Sequence, residues 1–279
     1  MNININEQKT IFNNVENFFS QFLNEDETFL NWFSDLGTKF IVDQKAEMVF
    51  LDHRKKYNEL SDSLLAKTID HTLLKPDAVR SEIQILCKEA IEFNFASVCV
   101  NPCYVEYCAK ELIGSNVKTC SVIGFPLGSN LSSIKTIEAE SAIYDGASEI
   151  DIVLNIGQLK QNNYIYVYEE LSNIISKAKA NSILTKIIIE TCLLSNEEKI
   201  EACLISKSAG ADYVKTSTGF SKSGANIQDV ALMKFIVGEE TSVKASGGIK
   251  TRNDAVNMLI YGADRIGTSS GKTIISNLN

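Results

Sequence analysis

From about Ser61 onward the chain alternates short apolar runs with stretches whose apolar residues recur at helical spacing. Eight runs rich in Val and Ile read as strands: Leu65–Ile69, Ala96–Val100, Thr119–Gly124, Glu149–Leu154, Lys186–Glu190, Tyr213–Thr216, Ser242–Ala245 and Arg265–Gly267. Between them the spacing predicts helices over 78–93, 103–113, 132–145, 163–180, 196–209, 226–237 and 252–261. Start and stop signals agree. Ser195-Asn-Glu-Glu198 is a capping box, and Thr251 with Asp254 a second; Gly114, Gly146, Gly210 and Gly262 stand where helices should end. Alternating strands and helices joined by short loops predict a parallel sheet. Eight such units in roughly 220 residues predict a closed (β/α)8 barrel, an α/β fold. The competing open, doubly wound sheet carries a glycine fingerprint after its first strand. Here Ile69-Asp-His-Thr72 follows the first expected strand and contains no Gly.

Residues 1–60 have a different texture. Ile11, Val15, Phe18 and Phe22 recur on one helical face, and Phe29, Phe33, Leu36 and Phe40 repeat the pattern with Trp32 beside them. Of the 23 aromatic residues of the chain, 10 fall in these 60, more than a small helical unit can bury alone. The expected organisation is a helical N-terminal extension over 1–60 followed by the barrel over 61–279. Three roles stand open for the extension: a cap on the barrel base, a subunit interface, or a cover over the barrel mouth.

Composition narrows the class. At 44% hydrophobic and 22% charged the chain is of globular composition, not disordered. Its net charge of -8 argues against a nucleic-acid surface, which needs clustered Lys and Arg. Half of that charge lies in residues 1–60, which hold 10 acidic and 6 basic groups. No apolar run is long enough to span a membrane, and the first residues lack the basic segment and apolar core of a signal peptide. Seven Cys with no CxxC pair read as reduced, mostly buried thiols in a cytoplasmic protein. With His53 and His71 the only histidines, no dedicated zinc or other metal site is expected.

In a barrel, reactive side chains stand at the C-terminal ends of strands. Three charged residues inside the apolar runs are costly to bury: Asp151, Lys215 and Lys244. Burial and a neighbouring cation both favour the neutral amine, and a neutral amine attacks a carbonyl to form a Schiff base. Lys215 and Lys244 end adjacent expected strands, so one can act as nucleophile and the other as its activator. The alternative is that each pairs with a carboxylate at the rim. Asp151 is then either a plain ion-pair partner or a proton shuttle working with Lys244. Asp70, after the first expected strand, is either a similar participant or a loop cap.

The loops after the seventh and eighth strands hold Ser246-Gly247-Gly248 and Thr268-Ser269-Ser270-Gly271, the recurrent phosphate position in barrels. Gly219 and Lys222 in the sixth loop are expected to add contacts to the phosphate. Turn chemistry alone is the plain alternative. Cys99 ends the second strand and reads as pocket lining.

With these residues placed, the chain resembles deoxyribose-phosphate aldolase over about 61–271. The resemblance rests on Ile-Asp-His-Thr-Leu-Leu-Lys-Pro (69–76), Val-Cys-Val-Asn-Pro (98–102), Val-Ile-Gly-Phe-Pro-Leu-Gly (122–128), Glu-Ile-Asp-Ile-Val-Leu-Asn (149–155), Val-Lys-Thr-Ser-Thr-Gly-Phe (214–220), Val-Lys-Ala-Ser-Gly-Gly-Ile (243–249) and Arg-Ile-Gly-Thr-Ser-Ser-Gly (265–271). Seven blocks in order are specific, and they resemble the shorter bacterial form. The resemblance implies a class I aldolase that reversibly cleaves 2-deoxy-D-ribose 5-phosphate into D-glyceraldehyde 3-phosphate and acetaldehyde. It implies Lys215 as the Schiff-base lysine, Lys244 as the activating lysine and Asp151 as the proton-relay partner. Asp70, Cys99, Gly219, Gly247, Gly248, Ser269 and Ser270 would contact substrate. No cofactor is implied. The expected partners are small phosphorylated sugar and aldehyde substrates and a second copy of the chain as a homo-oligomer, a dimer by preference. Two departures stand out. Some members use a C-terminal tail ending in Tyr to assist proton transfer, an aid expected to be absent from a sequence ending at Asn279. The family core also lacks residues 1–60.

Overall fold

The computed structural model describes residues 56–57 and 60–276. Eight parallel strands close into a barrel in sequence order, with the eighth pairing back onto the first. They are β1 (Ile69–Leu73), β2 (Ser97–Val100), β3 (Lys118–Ile123), β4 (Glu149–Val153), β5 (Leu184–Ile188), β6 (Tyr213–Lys215), β7 (Ser242–Ser246) and β8 (Arg265–Thr268). Helices run between them, the longest over Tyr164–Ala180. The expected helices of residues 1–55 lie outside the described residues. Tyr57 is 2% exposed and joins the main apolar core, so the barrel's packing already begins ahead of Ser61.

Strand alternation divides the core in two. Ile69, Val98, Val100, Ile123, Ile150, Ile152, Ile187, Val214, Val243 and Ile266 face outward and pack beneath the helices. The opposite parity faces the barrel axis. There a small apolar cluster of Leu74, Cys99, Cys120 and Val122, with Phe125 against it, fills one sector. Seven charged side chains share the rest of the interior: Asp70, Glu149, Asp151, Lys186, Lys215, Lys244 and Arg265. Burying ~25 cal/mol per Å2 of outward apolar surface holds the barrel closed, and that closure keeps water from the interior charges.

Seven of the eight expected strands overlap the observed ones within two residues at their starts. The first does not. Leu65 and Ala66 belong to a helix over Asp62–Ala66, begun by Ser61, whose hydroxyl accepts from Leu64 N at 3.2 Å. The strand is Ile69–Leu73, and Asp70 lies inside it rather than after it. Its polar text, Asp-His-Thr, hid it. Asp70 faces the charged interior, and His71, facing outward, is met by Glu89 Oε2 at 2.9 Å. Both capping boxes, Ser195–Glu198 and Thr251–Asp254, form as expected. Gly114, Gly146, Gly210 and Gly262 all take positive φ after helices. Among the described residues, no helix is long and apolar enough to cross a membrane.

Candidate active site

Lys215 and Lys244 are register partners across β6 and β7, and both point into the barrel. Each donates to one oxygen of Asp151, Oδ2, at 2.7 Å. Asp151 lies on β4, and its other oxygen, Oδ1, accepts from Lys186 Nζ of β5 at 2.8 Å. Lys186 also meets Glu149 Oε2 at 2.6 Å. Lys244 Nζ lies 2.6 Å from Asp70 Oδ2, an ion pair set off the hydrogen-bond axis. The guanidinium of Arg265 closes the ring. Its Nε donates to Asp70 Oδ1 at 2.9 Å, and its Nη2 meets Glu149 Oε2 at 2.9 Å and Asp70 Oδ1. Ser97 Oγ adds a donor to Asp70 at 2.7 Å.

Asp70, Asp151, Lys186 and Lys244 have no exposed surface, and Lys215 is 2% exposed. Taking such charges out of water is expensive, so each must be paired. Burial would push both aspartates up. Lys186, Lys215 and Lys244 overturn that for Asp151, and Arg265, Lys244 and Lys186 overturn it for Asp70, so both carboxyls are held well below the usual range. Burial would likewise strip protons from Lys186 and Lys244; Asp151 first, with Glu149 or Asp70, raises both above the ordinary lysine value. The four cations Lys186, Lys215, Lys244 and Arg265 face three carboxylates, Asp70, Glu149 and Asp151, which leaves one positive charge uncompensated. Lys215 has the smallest share of carboxylate: one oxygen, against two residues for Lys244 and three for Lys186.

Cys99 is fully buried on β2, opposite Cys120 of β3 in register. A hydrogen bond with Cys120 pulls the Cys99 thiol down, whereas burial pushes Cys120 up. Cys120 Sγ sits 3.1 Å from Asp151 Oδ1. Cys99, Cys120 and Asp151 bring three ligand atoms within 4.8 Å of one another. The set does not fit a metal ion, because the Asp151 oxygens already serve three ammonium groups that would repel a cation.

Above the lysines, the loops after β6, β7 and β8 are tied together. Ala225 N donates to Ser246 O and Gly247 O, both at 3.0 Å. A Cβ on Gly224 would sit 2.1 Å from Gly247 O, so the two loops touch backbone to backbone. Thr268 Oγ1 donates to Ile249 O at 2.7 Å and accepts from Ser270 N at 2.9 Å. These bonds hold Gly247 and Ser270 beyond the C-terminal ends of the strands, with Gly219 packed against Gly247; Gly248 and Ser269 are their chain neighbours. Lys222 is exposed there and makes no ion pair with the described residues.

Three interior residues escaped the reading of the sequence: Lys186, Glu149 and Arg265. Each stood at the edge of an expected run, where a charge reads as a boundary. The available signal was parity, since Lys186 shares a face with Ile188 and Glu149 with Asp151 on their strands.

The DeoC/LacD family aldolase profile matches residues 64–277. The chain is 56% identical over 212 residues to the deoxyribose-phosphate aldolase of Clostridium kluyveri, covering 76% of this chain and 97% of that one. It is 53% identical over 212 residues to that of Caldanaerobacter subterraneus, covering 76% and 92%. Among solved structures, the tetrameric deoxyribose phosphate aldolase from Aeropyrum pernix superposes with a TM-score of 0.74 at 34% identity, covering 84% of this chain and 96% of that one.

Proposed function

The chain belongs to the DeoC/LacD aldolase family, with the deoxyribose-phosphate aldolases, and is a lyase; from that premise we propose that it cleaves 2-deoxy-D-ribose 5-phosphate reversibly through a Schiff base on Lys215. The products are D-glyceraldehyde 3-phosphate and acetaldehyde. The observation that carries this reading is the single oxygen, Asp151 Oδ2, shared by Lys215 and Lys244.

Lys215 is the ammonium with the fewest carboxylate neighbours in a cluster holding one excess positive charge. With so few carboxylate neighbours and Lys244 beside it, Lys215 is the lysine assigned as nucleophile. The neutral amine attacks the C1 aldehyde of the open-chain sugar, and loss of water leaves a protonated imine. The C3 hydroxyl gives up its proton, the C2–C3 bond breaks, and its electrons pass to the imine nitrogen. C3 leaves as the aldehyde of glyceraldehyde 3-phosphate, and an enamine remains on Lys215. Protonation at C2 and hydrolysis release acetaldehyde and restore the amine. Asp151, bridged to Lys244, moves the protons, and Lys244 supplies the fixed charge beside the nitrogen.

Asp70 and Cys99 line the inner wall below the reacting carbons. Backbone N–H groups at Gly219, Gly247 and Gly248, with Ser269 and Ser270, receive the phosphate at the mouth. No cofactor takes part. The catalytic barrel spans 61–279 in this reading, with 1–60 an appendage of which Tyr57 and Leu60 pack on the core. Free thiols suit a cytoplasmic setting. The working assembly is a homo-oligomer, expected as a dimer, and light scattering distinguishes it from the tetramer described for the Aeropyrum relative.

Acetaldehyde followed by borohydride should leave a stable ethyl adduct on Lys215, read by peptide mass spectrometry. An adduct on another lysine, or none, would sink the assignment.

A further inference from the structure

Glu190 carries two costs at one place. It follows β5 at the C-terminal end of the barrel and sits in the left-handed region, at φ 55° and ψ 64°, where a residue with a Cβ is disfavoured. It is also 2% exposed, and among the described residues no Lys, Arg or His lies within ion-pair distance of its carboxylate. A buried carboxylate without a cation is a net burden on stability. Strain and unpaired burial at the same residue, at the functional end of a barrel, point to a task in the site rather than in the fold.

The carboxylate's partners identify the task. Its two oxygens accept from Thr218 N, at 3.3 and 3.4 Å, and Oε2 also accepts from the Thr218 hydroxyl. Thr218 Oγ1 in turn accepts from Phe220 N at 3.1 Å. Glu190 therefore grips the loop after β6 by one side chain and two backbone N–H groups, directly or through Thr218. The gripped turn begins three residues after Lys215 and contains Gly219, whose φ is +86°. One residue earlier, Ser217 O accepts from Ser246 Oγ at 2.5 Å, which ties the same loop to the one after β7.

We propose that Glu190 is a positioning residue: it clamps the Thr218–Phe220 turn so that the Gly219 backbone faces the phosphate of the sugar. It touches neither the reacting carbons nor Lys215. The proposal rests on the aldolase reading above, because it takes the mouth loops as the phosphate site. A charged clamp suits this work better than a neutral one. Hydrogen bonds to a carboxylate are stronger than those between neutral groups, and two donors on one residue fix orientation as well as position.

The test separates the clamp from the chemistry. Glu190→Gln keeps the shape but removes one acceptor. It should raise KM for deoxyribose 5-phosphate about tenfold, the loss of one hydrogen bond to a charged group. It should leave kcat within about twofold and leave the acetaldehyde–borohydride adduct at Lys215 unchanged, since acetaldehyde carries no phosphate. The preference for phosphorylated over unphosphorylated deoxyribose should fall by the same factor. Should Glu190→Gln fail to fold, Thr218→Ser and Thr218→Val give the same reading from the other side: Ser, which keeps the hydroxyl, stays near wild type, and Val matches the expected loss. In the double variant the two losses should not add. Unchanged KM with the adduct intact, equal behaviour of the Ser and Val variants, or additive losses would each overturn the clamp. A wild-type protein that forms no adduct at Lys215 overturns the aldolase reading itself, a result no Glu190 variant can mimic.

Discussion

Lys215 and Lys244 stand opposite each other in the β6–β7 ladder and donate to the same oxygen, Asp151 Oδ2, at 2.7 Å each. Two ammonium groups side by side repel. One carboxylate oxygen between them relieves that repulsion only in part, because Asp151 also answers to Lys186. The barrel interior thus sets four cations against three carboxylates, and Lys215 is the lysine with a single carboxylate contact.

Replacing Lys244 with Leu should remove that pressure on Lys215 and the charge beside the imine. We expect kcat to fall about 10^2- to 10^4-fold, the range for a positioned acid–base or charge-stabilising group. Near wild-type turnover, in a variant with unchanged circular dichroism, would contradict the role given to Lys244.

Arg265 is a structural counterpart. It binds both Asp70 and Glu149, and its side chain is only 12% exposed. Arg265→Met leaves two buried carboxylates short of a partner, and removing one member of a buried ion pair costs about 3–5 kcal/mol. Thermal unfolding should move down by several degrees. A shift of under one degree would show that Lys186 and Lys244 compensate in full.

Gly224→Ala tests the contact between the sixth and seventh loops. The new Cβ would lie 2.1 Å from Gly247 O and must push one loop away. Overpacking of this kind costs about 1–3 kcal/mol. KM for the phosphorylated sugar should rise while the Lys215 adduct with acetaldehyde persists. An unaltered KM would mean that Gly247 does not face the phosphate.

His71 makes stability depend on pH. It is 3% exposed between Glu89 and the Gly271–Ser276 helix that carries Lys272. Burial lowers its pKa, against the opposing pull of Glu89, so the folded chain holds it neutral to lower pH than the unfolded chain does. Above about pH 6.5 the contribution is fully present, and it is lost as pH falls through the folded value. The melting temperature should therefore drop between pH 7.5 and 5.5, and His71→Gln should flatten that drop. An identical slope in the variant would remove His71 as its source.

How far the site could be read beforehand depends on the residue. Lys215, Lys244 and Asp151 interrupt apolar runs, so their burial and its cost are legible in one dimension. Asp70 was visible but misplaced, because Asp-His-Thr does not look like a strand unless its two faces are known to be charged and partnered. Lys186 and Arg265 were lost at run boundaries. Glu190 stood at the end of an expected strand, and nothing in its neighbours announces a left-handed backbone or a bond to Thr218.

The order of strands and helices, the caps that start them, and the face each side chain takes follow from local periodicity, which acts over a few residues and is written in the chain itself. Which charges meet does not. Asp151 and Lys244 are 93 residues apart, and Asp70 and Arg265 195. Those pairs exist only because the closed barrel brings the inward faces of β1, β4, β7 and β8 around one axis. Alternation says that a residue points inward; barrel closure decides whose charge it finds there, and out of contact with solvent that partner decides whether the burial is tolerated.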